Sequence, residues 1–305
     1  MSITPIMPII PKASTKCWLA QIFADVMCIL QIPTHSKVST IPDEVLKAVP
    51  VAGYVHTLDG GNALFITNDR KAHPIPIEMA LFYHLNTGDQ IRAKVVFSHD
   101  HDNYITHSIE SLNHVHYDDA EMIPTQRSFT LGKHTIQYGT SVLIPVGDNT
   151  DIAKQVNQIF PALPADVVPF FLSFDGRATN FTNLPSMTEF TKPSYSSREK
   201  LMACLLTFFR AKQQAAAKGK DVVIVIDSLD KMFTAFNSCM QKAGMIDPSL
   251  YSSGAVTDFE NILRTSGCLA EGGSLTIIGL HHTGFTLQAQ QIRDRLYQIM
   301  DAILD

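Results

Sequence analysis

Residues 220–228 carry the clearest chemical signal in the chain. Five consecutive apolar residues, Val222–Ile226, lead directly into Asp227. A β-branched run of this length predicts a strand that is buried on both faces. In open parallel sheets, ligands bind beyond the carboxyl ends of the strands. Asp227 is therefore placed where a carboxylate could hold the hydrated magnesium ion of a bound nucleotide.

A nucleotide site of this kind also needs a phosphate loop, and the sequence contains no G-x-x-x-x-G-K-[ST]. The segment between the predicted strand Ser141–Val146 and the next predicted helix occupies the right place. Its two aspartates would put negative charge at a helix N-terminus, where phosphates bind. Asp151 is instead suited to cap that helix, although Lys154, one turn later, could still reach a phosphate. The degenerate loop consists of Gly147, Asp148, Asn149, Thr150, Asp151, Ile152 and Ala153.

Histidines spaced two apart suggest a second kind of chemistry. His99 and His101 follow one predicted strand, and His114 and His116 follow the next. Residues at this spacing point to one face of a strand, so a zinc site is geometrically possible. The pattern resembles the H-x-H-x-D-H motif of metal-dependent hydrolases, but Asn103 stands where that motif requires Asp. We expect a solvated polar hairpin here and keep a metal-binding module or hydrolase as an alternative.

The elements that position these residues divide the chain of 305 residues into three parts. Residues 1–50 predict a helical extension. Residues 51–127 read as short strands separated by turn signals, which predicts a small closed β-barrel. Residues 128–305 alternate strands with helices, which predicts a parallel α/β sheet. The helix over 198–217 begins with the capping box Ser196-x-x-Glu199.

Charge and cysteine usage restrict the environment and the ligands. The formal net charge is −5, and residues 51–127 hold ten Asp or Glu against five Lys or Arg. Such a segment is unsuited to a polyanion, so RNA binding is expected to be weak or lost. Five cysteines without a C-x-x-C favour buried thiols in a reducing, cytoplasmic setting. The apolar run Trp18–Ile32 is too short to span a membrane and predicts an amphipathic helix.

Several segments, in order along the chain, resemble the bacterial transcription termination factor Rho. The stretch Glu271-Gly-Gly-Ser-Leu-Thr-Ile-Ile278 matches a Rho signature almost letter for letter. The Asp227 strand is similar to the Rho magnesium-site strand, and Leu85–Ile91 is similar to a segment of its barrel. The resemblance covers residues 51 to about 290 and implies an oligonucleotide-binding, cold-shock-like barrel followed by a RecA-like core.

The same resemblance implies that the functional positions have been lost. It places Ile152 and Ala153 where Rho has the lysine and threonine of its phosphate loop, and Gly176 where it has the catalytic glutamate. The chain ends at Asp305, before the segment that carries the arginine finger in Rho. The vestigial nucleotide-binding residues are then Asp227, Asp175, Arg177 and Lys154, and the vestigial RNA-facing residues are Phe65 and Thr286.

These observations predict a Rho-like pseudo-ATPase that acts by binding and has no catalytic residues. We expect no cofactor, with magnesium-bound ATP disfavoured, and a partner such as Rho or the transcription machinery. A monomer or dimer is compatible with the sequence. The first alternative is a diverged termination factor that still binds ATP or RNA through a non-standard site. The second is the metal-binding module or hydrolase on the barrel histidines.

Overall fold

The computed structural model describes residues 48–57, 63–98, 103–114, 121–147, 152–174, 181–242, 253–282 and 287–304. The predicted N-terminal helix lies outside these residues. The described residues form an antiparallel five-stranded sheet, a large mostly parallel sheet flanked by helices, and a small hairpin between them. No helix in these ranges is long and apolar enough to cross a membrane.

The antiparallel sheet is the predicted barrel. Its strands are β1 (Val49–Thr57), β2 (Ala63–Thr67), β3 (Ala72–Ile75), β4 (Gln90–Ser98) and β5 (Asn103–Asn113), with the short helix α1 (Ile77–Phe82) after β3. The strand order is β3-β2-β1-β4-β5. The expected closed barrel is thus a half-barrel, because no strand ladder joins its described edges β3 and β5. A ring nitrogen of His73 lies 3.3 Å from the carbonyl of Tyr104 across this gap.

The second sheet contains the predicted parallel core. After the hairpin β6 (Ser128–Leu131) and β7 (His134–Gln137) come β8 (Ser141–Val146), β9 (Val168–Phe174), β10 (Met187–Thr191), β11 (Asp221–Asp227), β12 (Gly267–Cys268), β13 (Ser274–His282) and β14 (Ala302–Ile303). The order is β10-β9-β11-β13-β8-β14, with β12 antiparallel beside β13. The four predicted strands of this part are confirmed to within two residues, whereas β10, β12 and β14 were not predicted.

Helices cover both faces of this sheet. They are α2 (Ile152–Ala162), α3 (Ser197–Lys218), α4 (Leu229–Lys242), α5 (Ser253–Leu263) and α6 (Leu287–Ile299). Val223 and Val225 pack with α2 on one face, whereas Ile224 and Ile226 pack with α3, α4 and α5 on the other. This alternation explains why β11 is apolar at every position from 222 to 226.

Local signals set the ends of α3. The Ser196 side chain accepts a hydrogen bond from the Glu199 amide, and the Glu199 carboxylate accepts one from the Ser196 amide, which confirms the capping box. Gly219 ends the helix in the left-handed conformation, with φ 58°. The helix is 22 residues long and its middle is buried between the sheet and the barrel.

Candidate functional site

The strand order brings three strand ends together at the carboxyl edge of the sheet. β13 lies between β8, which leads into the degenerate loop, and β11, which ends at Asp227. In the register, His282 is opposite Val146, and Asp227 is opposite Leu280 on β13 and Ser173 on β9. Asp227, Ser173 and the two histidines that end β13 therefore belong to one edge.

Asp227 is buried there with half of its carboxylate unsatisfied. Its side chain is 4 % exposed, and the Ser173 hydroxyl donates to Oδ2 at 3.1 Å. Oδ1 has no hydrogen-bond partner among the described residues. Burial raises the pKa of Asp227, although the charge of Lys231 and the Ser173 hydrogen bond act against the rise. The peptide bond to Ser228 is cis.

Asp230, in the first turn of α4, has hydrogen-bond partners for both carboxylate oxygens, unlike Asp227. Its Oδ1 accepts from His281 Nδ1 at 3.2 Å and from the His282 amide at 3.1 Å, and its Oδ2 accepts from Ser228 at 3.0 Å. Burial alone would raise the pKa of Asp230, but these hydrogen bonds outweigh it and lower the pKa. The carboxylate ties the end of β13 to α4 and so holds the two histidines at the edge.

The sequence-based list of site residues did not include Asp230, His281 or Ser173. Asp230 and His281 are 51 positions apart, and Ser173 and Asp227 are 54 apart. Only the order of the strands brings them together. The available sign was that each of these residues lies at the carboxyl end of a strand or just after it. Such positions share one edge of a parallel sheet.

The described part of the degenerate loop has an apolar character. Ile152 is half-buried at the start of α2 and packs against the apolar cluster on that face of the sheet. Ala153 is half-buried, Lys154 is exposed and Gly147 is exposed at the end of β8. An isoleucine cannot neutralise phosphate charge, and packing into the core fixes it away from that role. Asp148, Asn149, Thr150 and Asp151 lie outside the described residues, as do Asp175, Gly176 and Arg177.

Phe65, which the sequence places among the vestigial RNA-facing residues, does not face solvent. The ring is completely buried inside the barrel, with Val55, Ile75 and Ile91 in the same apolar cluster. A buried ring cannot stack on a base. Thr286, the other predicted RNA-facing residue, lies outside the described ranges.

An exposed aromatic side chain occurs instead near the start of β5, beside the end of β4. The Tyr104 side chain is 42 % exposed. Its ring centre lies 5.4 Å from that of Phe97 and 6.2 Å from that of His73. Tyr104 was not singled out from the sequence, because a lone tyrosine in a predicted strand gives no sign of its exposure.

The barrel histidines form no metal site within the described residues. His114 is hydrogen-bonded to Asp89 at 3.1 Å, and Asp89 also accepts from the Asn86 amide. No group of three or more His, Cys, Asp or Glu in the described ranges is arranged to hold a metal ion. His99, His101 and His116 lie outside those ranges, so their pairing stays a prediction.

Both described cysteine side chains, Cys204 and Cys268, are buried and unpaired, as predicted. Burial raises the pKa of the Cys204 thiol well above its usual range. Neither lies at the carboxyl edge of the sheet. They are core residues and not candidates for nucleophilic chemistry.

No family model matches the chain, and no curated protein matches it significantly. Solved structures do match. A prototypical ATPase from the type III secretion system of pathogenic bacteria is similar with a TM-score of 0.56 at 17% identity, over 65% of this chain and 62% of that one. The secretion ATPase EscN from enteropathogenic E. coli gives 0.51 at 16%, over 66% and 53%. The ATP synthase subunit NeqB from Nanoarcheaum equitans gives 0.54 at 17%, over 64% and 54%.

This chain spans less than two thirds of the length of each of these three proteins. Identities of 16% and 17% show the fold alone. The fold is that of ATPases in which a β-barrel precedes a RecA-like α/β core, and this chain has that fold.

Proposed function

We propose that this protein is a non-hydrolysing relative of Rho that acts by binding in transcription termination. The RecA-like fold with a preceding barrel is compatible with this origin. The finer assignment rests on the Rho-like segments of the sequence, of which Glu271–Ile278 is the most specific. That segment forms the turn before β13 and most of the strand itself.

The observation that carries the loss of hydrolysis is the position of Ile152. Phosphoryl transfer depends on charge stabilisation by the loop lysine and by a magnesium ion held by a loop hydroxyl. Ile152 and Ala153 stand in those places according to the Rho-like register, and Ile152, half-buried at the start of α2, packs against the apolar cluster on that face of the sheet. Because Ile152 is held by these apolar contacts, a small movement of the loop would not bring a phosphate-binding side chain into its place.

Asp227 supports the same reading. A magnesium ion takes several oxygen ligands in near-octahedral geometry, mostly from phosphates and water. One carboxylate oxygen of Asp227 is engaged by Ser173, and the other has no hydrogen-bond partner in the described part of the chain. Without a grip on the phosphates, this single oxygen is a poor magnesium ligand.

Steady-state hydrolysis tests the proposal. The purified protein is assayed with magnesium and ATP, with and without poly(C), next to its Asp227→Ala variant. We expect the same background rate in all four reactions. Magnesium-dependent turnover that poly(C) stimulates and that Asp227→Ala abolishes would show that the site works.

The role in termination is tested separately. Adding the protein to a reconstituted reaction with active Rho and RNA polymerase is expected to change the fraction of terminated transcripts in proportion to its concentration. A heat-denatured sample controls for buffer effects. An unchanged termination fraction at a large excess of protein over Rho would reject this part of the proposal.

Single-stranded RNA binding at the barrel is the second candidate function, and Tyr104 favours it. An exposed ring next to another aromatic ring is a suitable surface for stacking a base, worth ~1–3 kcal/mol for each base. Tyr104→Ala should then weaken binding of a labelled oligocytidylate about 5- to 150-fold at low salt. Tyr297 on α6 is 43 % exposed, so Tyr297→Ala is a matched control. Equal affinities of the two variants would remove this candidate.

A further inference from the structure

The outer face of β1 carries two aromatic side chains that the core covers. Tyr54 and His56 are two residues apart on the strand and therefore point to the same side. Phe209 of α3 lies over both, with ring centres 5.9 Å from Tyr54 and 6.2 Å from His56. All three side chains are at most 4 % exposed. One aromatic ring from the core thus fills an aromatic site on the barrel.

The rings of His56 and Phe209 are stacked, as a bound nucleobase would be on a protein ring. They are inclined to each other by only 23°. Offset stacking at this separation is the arrangement that aromatic pairs prefer, and nucleobases stack on protein rings in the same way. Tyr54 and His56 together would offer a platform to a base if Phe209 were absent.

A cation, Arg210 of α3, lies close to Tyr54, where its charge acts against the rise in the Tyr54 pKa that burial causes, although the barrel segment as a whole is acidic. Arg210 of α3 donates to Asn68 at 2.8 Å. A cation beside an aromatic platform is what a single-stranded nucleic acid requires, because its phosphates accompany the stacked bases.

The contact between barrel and core has a polar border that water could satisfy after separation. The Tyr54 hydroxyl donates to Gln213 at 3.2 Å, and Gln213 donates in turn to Gln90 of the barrel. Interfaces between domains of one chain are commonly of this mixed kind and permit relative motion. The apolar contacts of Leu64 and Ile66 with the core keep the closed arrangement dominant.

We propose that Phe209 is an internal plug on a base-stacking platform formed by Tyr54 and His56, and that this platform takes a base of single-stranded nucleic acid when α3 is displaced. The contact is then autoinhibitory. This inference rests on the chain having an oligonucleotide ligand, which is the second candidate function above. It concerns a different surface from Tyr104.

Removing the plug tests the inference. Phe209→Ala is compared with Phe208→Ala, which deletes the same ring from the neighbouring position of α3, where the side chain is 3 % exposed. The probe is a labelled oligocytidylate in a fluorescence anisotropy titration at low salt. We expect Phe209→Ala to bind at least about fivefold more tightly than the native protein, and Phe208→Ala to bind as the native protein does.

Two double variants separate this inference from the second candidate function. Adding Tyr54→Ala to Phe209→Ala should abolish the gain in affinity. Adding Tyr104→Ala should leave unchanged the ratio of affinities between proteins with and without the Phe209→Ala substitution. If Tyr104→Ala removes all binding but the Phe209 gain is absent, the second candidate stands and the plug is rejected. A gain that survives Tyr54→Ala would also reject the plug.

A second variant that keeps most of the apolar volume is used in case Phe209→Ala does not fold. Phe209→Leu removes the ring and retains most of the packing, so it should fold and show part of the gain. Hydrogen exchange at the Val55 to Thr57 amides should become faster in Phe209→Leu than in Phe208→Leu. Folded Phe209→Leu with native affinity and native exchange at these amides would overturn the inference.

Discussion

Replacing Asp227 with asparagine should stabilise this protein, and the size of the effect follows from the environment of the carboxylate. The side chain is 4 % exposed, and one of its two oxygens has no hydrogen-bond partner within the ranges that the structure describes. Asparagine has the same shape, removes the charge and can still accept the Ser173 hydrogen bond. A buried polar group left unsatisfied costs ~1–3 kcal/mol, and more when it is charged. We therefore expect the free energy of unfolding to rise by about 1–3 kcal/mol at pH 7.

The dependence on pH gives the prediction its sign. Burial raises the pKa of Asp227 in the folded protein above its value in the unfolded chain. The unfolded value is about 3.9, that of an unperturbed aspartate. As the pH rises above about 4, the unfolded state loses its proton first and the native protein loses stability. The advantage of Asp227→Asn should be small below about pH 4 and complete once the pH exceeds the raised pKa of the folded state.

Asp230→Asn is a matched control with the opposite sign. The Asp230 carboxylate accepts three hydrogen bonds and its pKa is lowered. Its stabilising contribution is present above the unfolded pKa and is lost as the pH falls through the folded pKa. Asp230→Asn should cost about 1.5–3 kcal/mol at pH 7 and progressively less at acid pH, since the asparagine oxygen can keep the two bonds to Oδ1 and one hydrogen bond to a charged group is worth about that much.

Urea denaturation of both variants and the native protein between pH 3 and pH 8 measures these effects. The slope of the unfolding free energy against urea must stay unchanged for the comparison to hold. Destabilisation by Asp227→Asn at pH 7 would refute the reasoning, because it would mean that the carboxylate is satisfied in solution. Parallel pH profiles for the two variants would refute it as well.

Three further predictions concern other parts of the fold. His73 is buried at the gap of the half-barrel and its pKa is lowered by burial, so stability should fall as the pH drops below about 6.5 and His73→Gln should flatten this loss in a denaturation series. Ser196→Ala removes the capping box of α3 and should lower the free energy of unfolding by about 1 kcal/mol, whereas Ser194→Ala, just before the cap, should leave it unchanged within error. Cys204 is completely buried with a raised pKa, so peptide mapping after treatment with a thiol reagent should find it modified only under unfolding conditions.

Local sequence patterns predicted the parts of the fold that local physics decides. The β-branched run before Asp227 could only be a strand buried on both faces, and its side chains do alternate between two apolar clusters. The helix α3 begins at the capping box of Ser196 and ends at the left-handed Gly219, as the start and stop signals in the sequence indicate. In contrast, β10 has a mixed composition, and it becomes a strand because its backbone pairs with β9.

The candidate site was less accessible to the same reasoning because it is made of long-range contacts. The strand order decides that His281 reaches Asp230 and that Ser173 reaches Asp227, and neither pair has a local signature. The burial of Phe65 is not encoded in a local pattern, because an apolar residue in a barrel strand can face the interior or a ligand. The contact of Phe209 with the barrel was also beyond local patterns, because it depends on how α3 and β1 are placed relative to each other.

Binding of magnesium-bound ATP is the measurement that tests the central claim most directly. Among the described residues, the carboxyl edge of the sheet has no phosphate grip, because Ile152 packs against the apolar cluster and the only hydrogen bond to the Asp227 carboxylate comes from Ser173. Titration calorimetry with millimolar MgATP should therefore give no binding heat, and the thermal midpoint should not move. A saturable heat, with stabilisation approaching about 2.7 kcal/mol at 100 times the dissociation constant and lost in Asp227→Ala, would contradict the account.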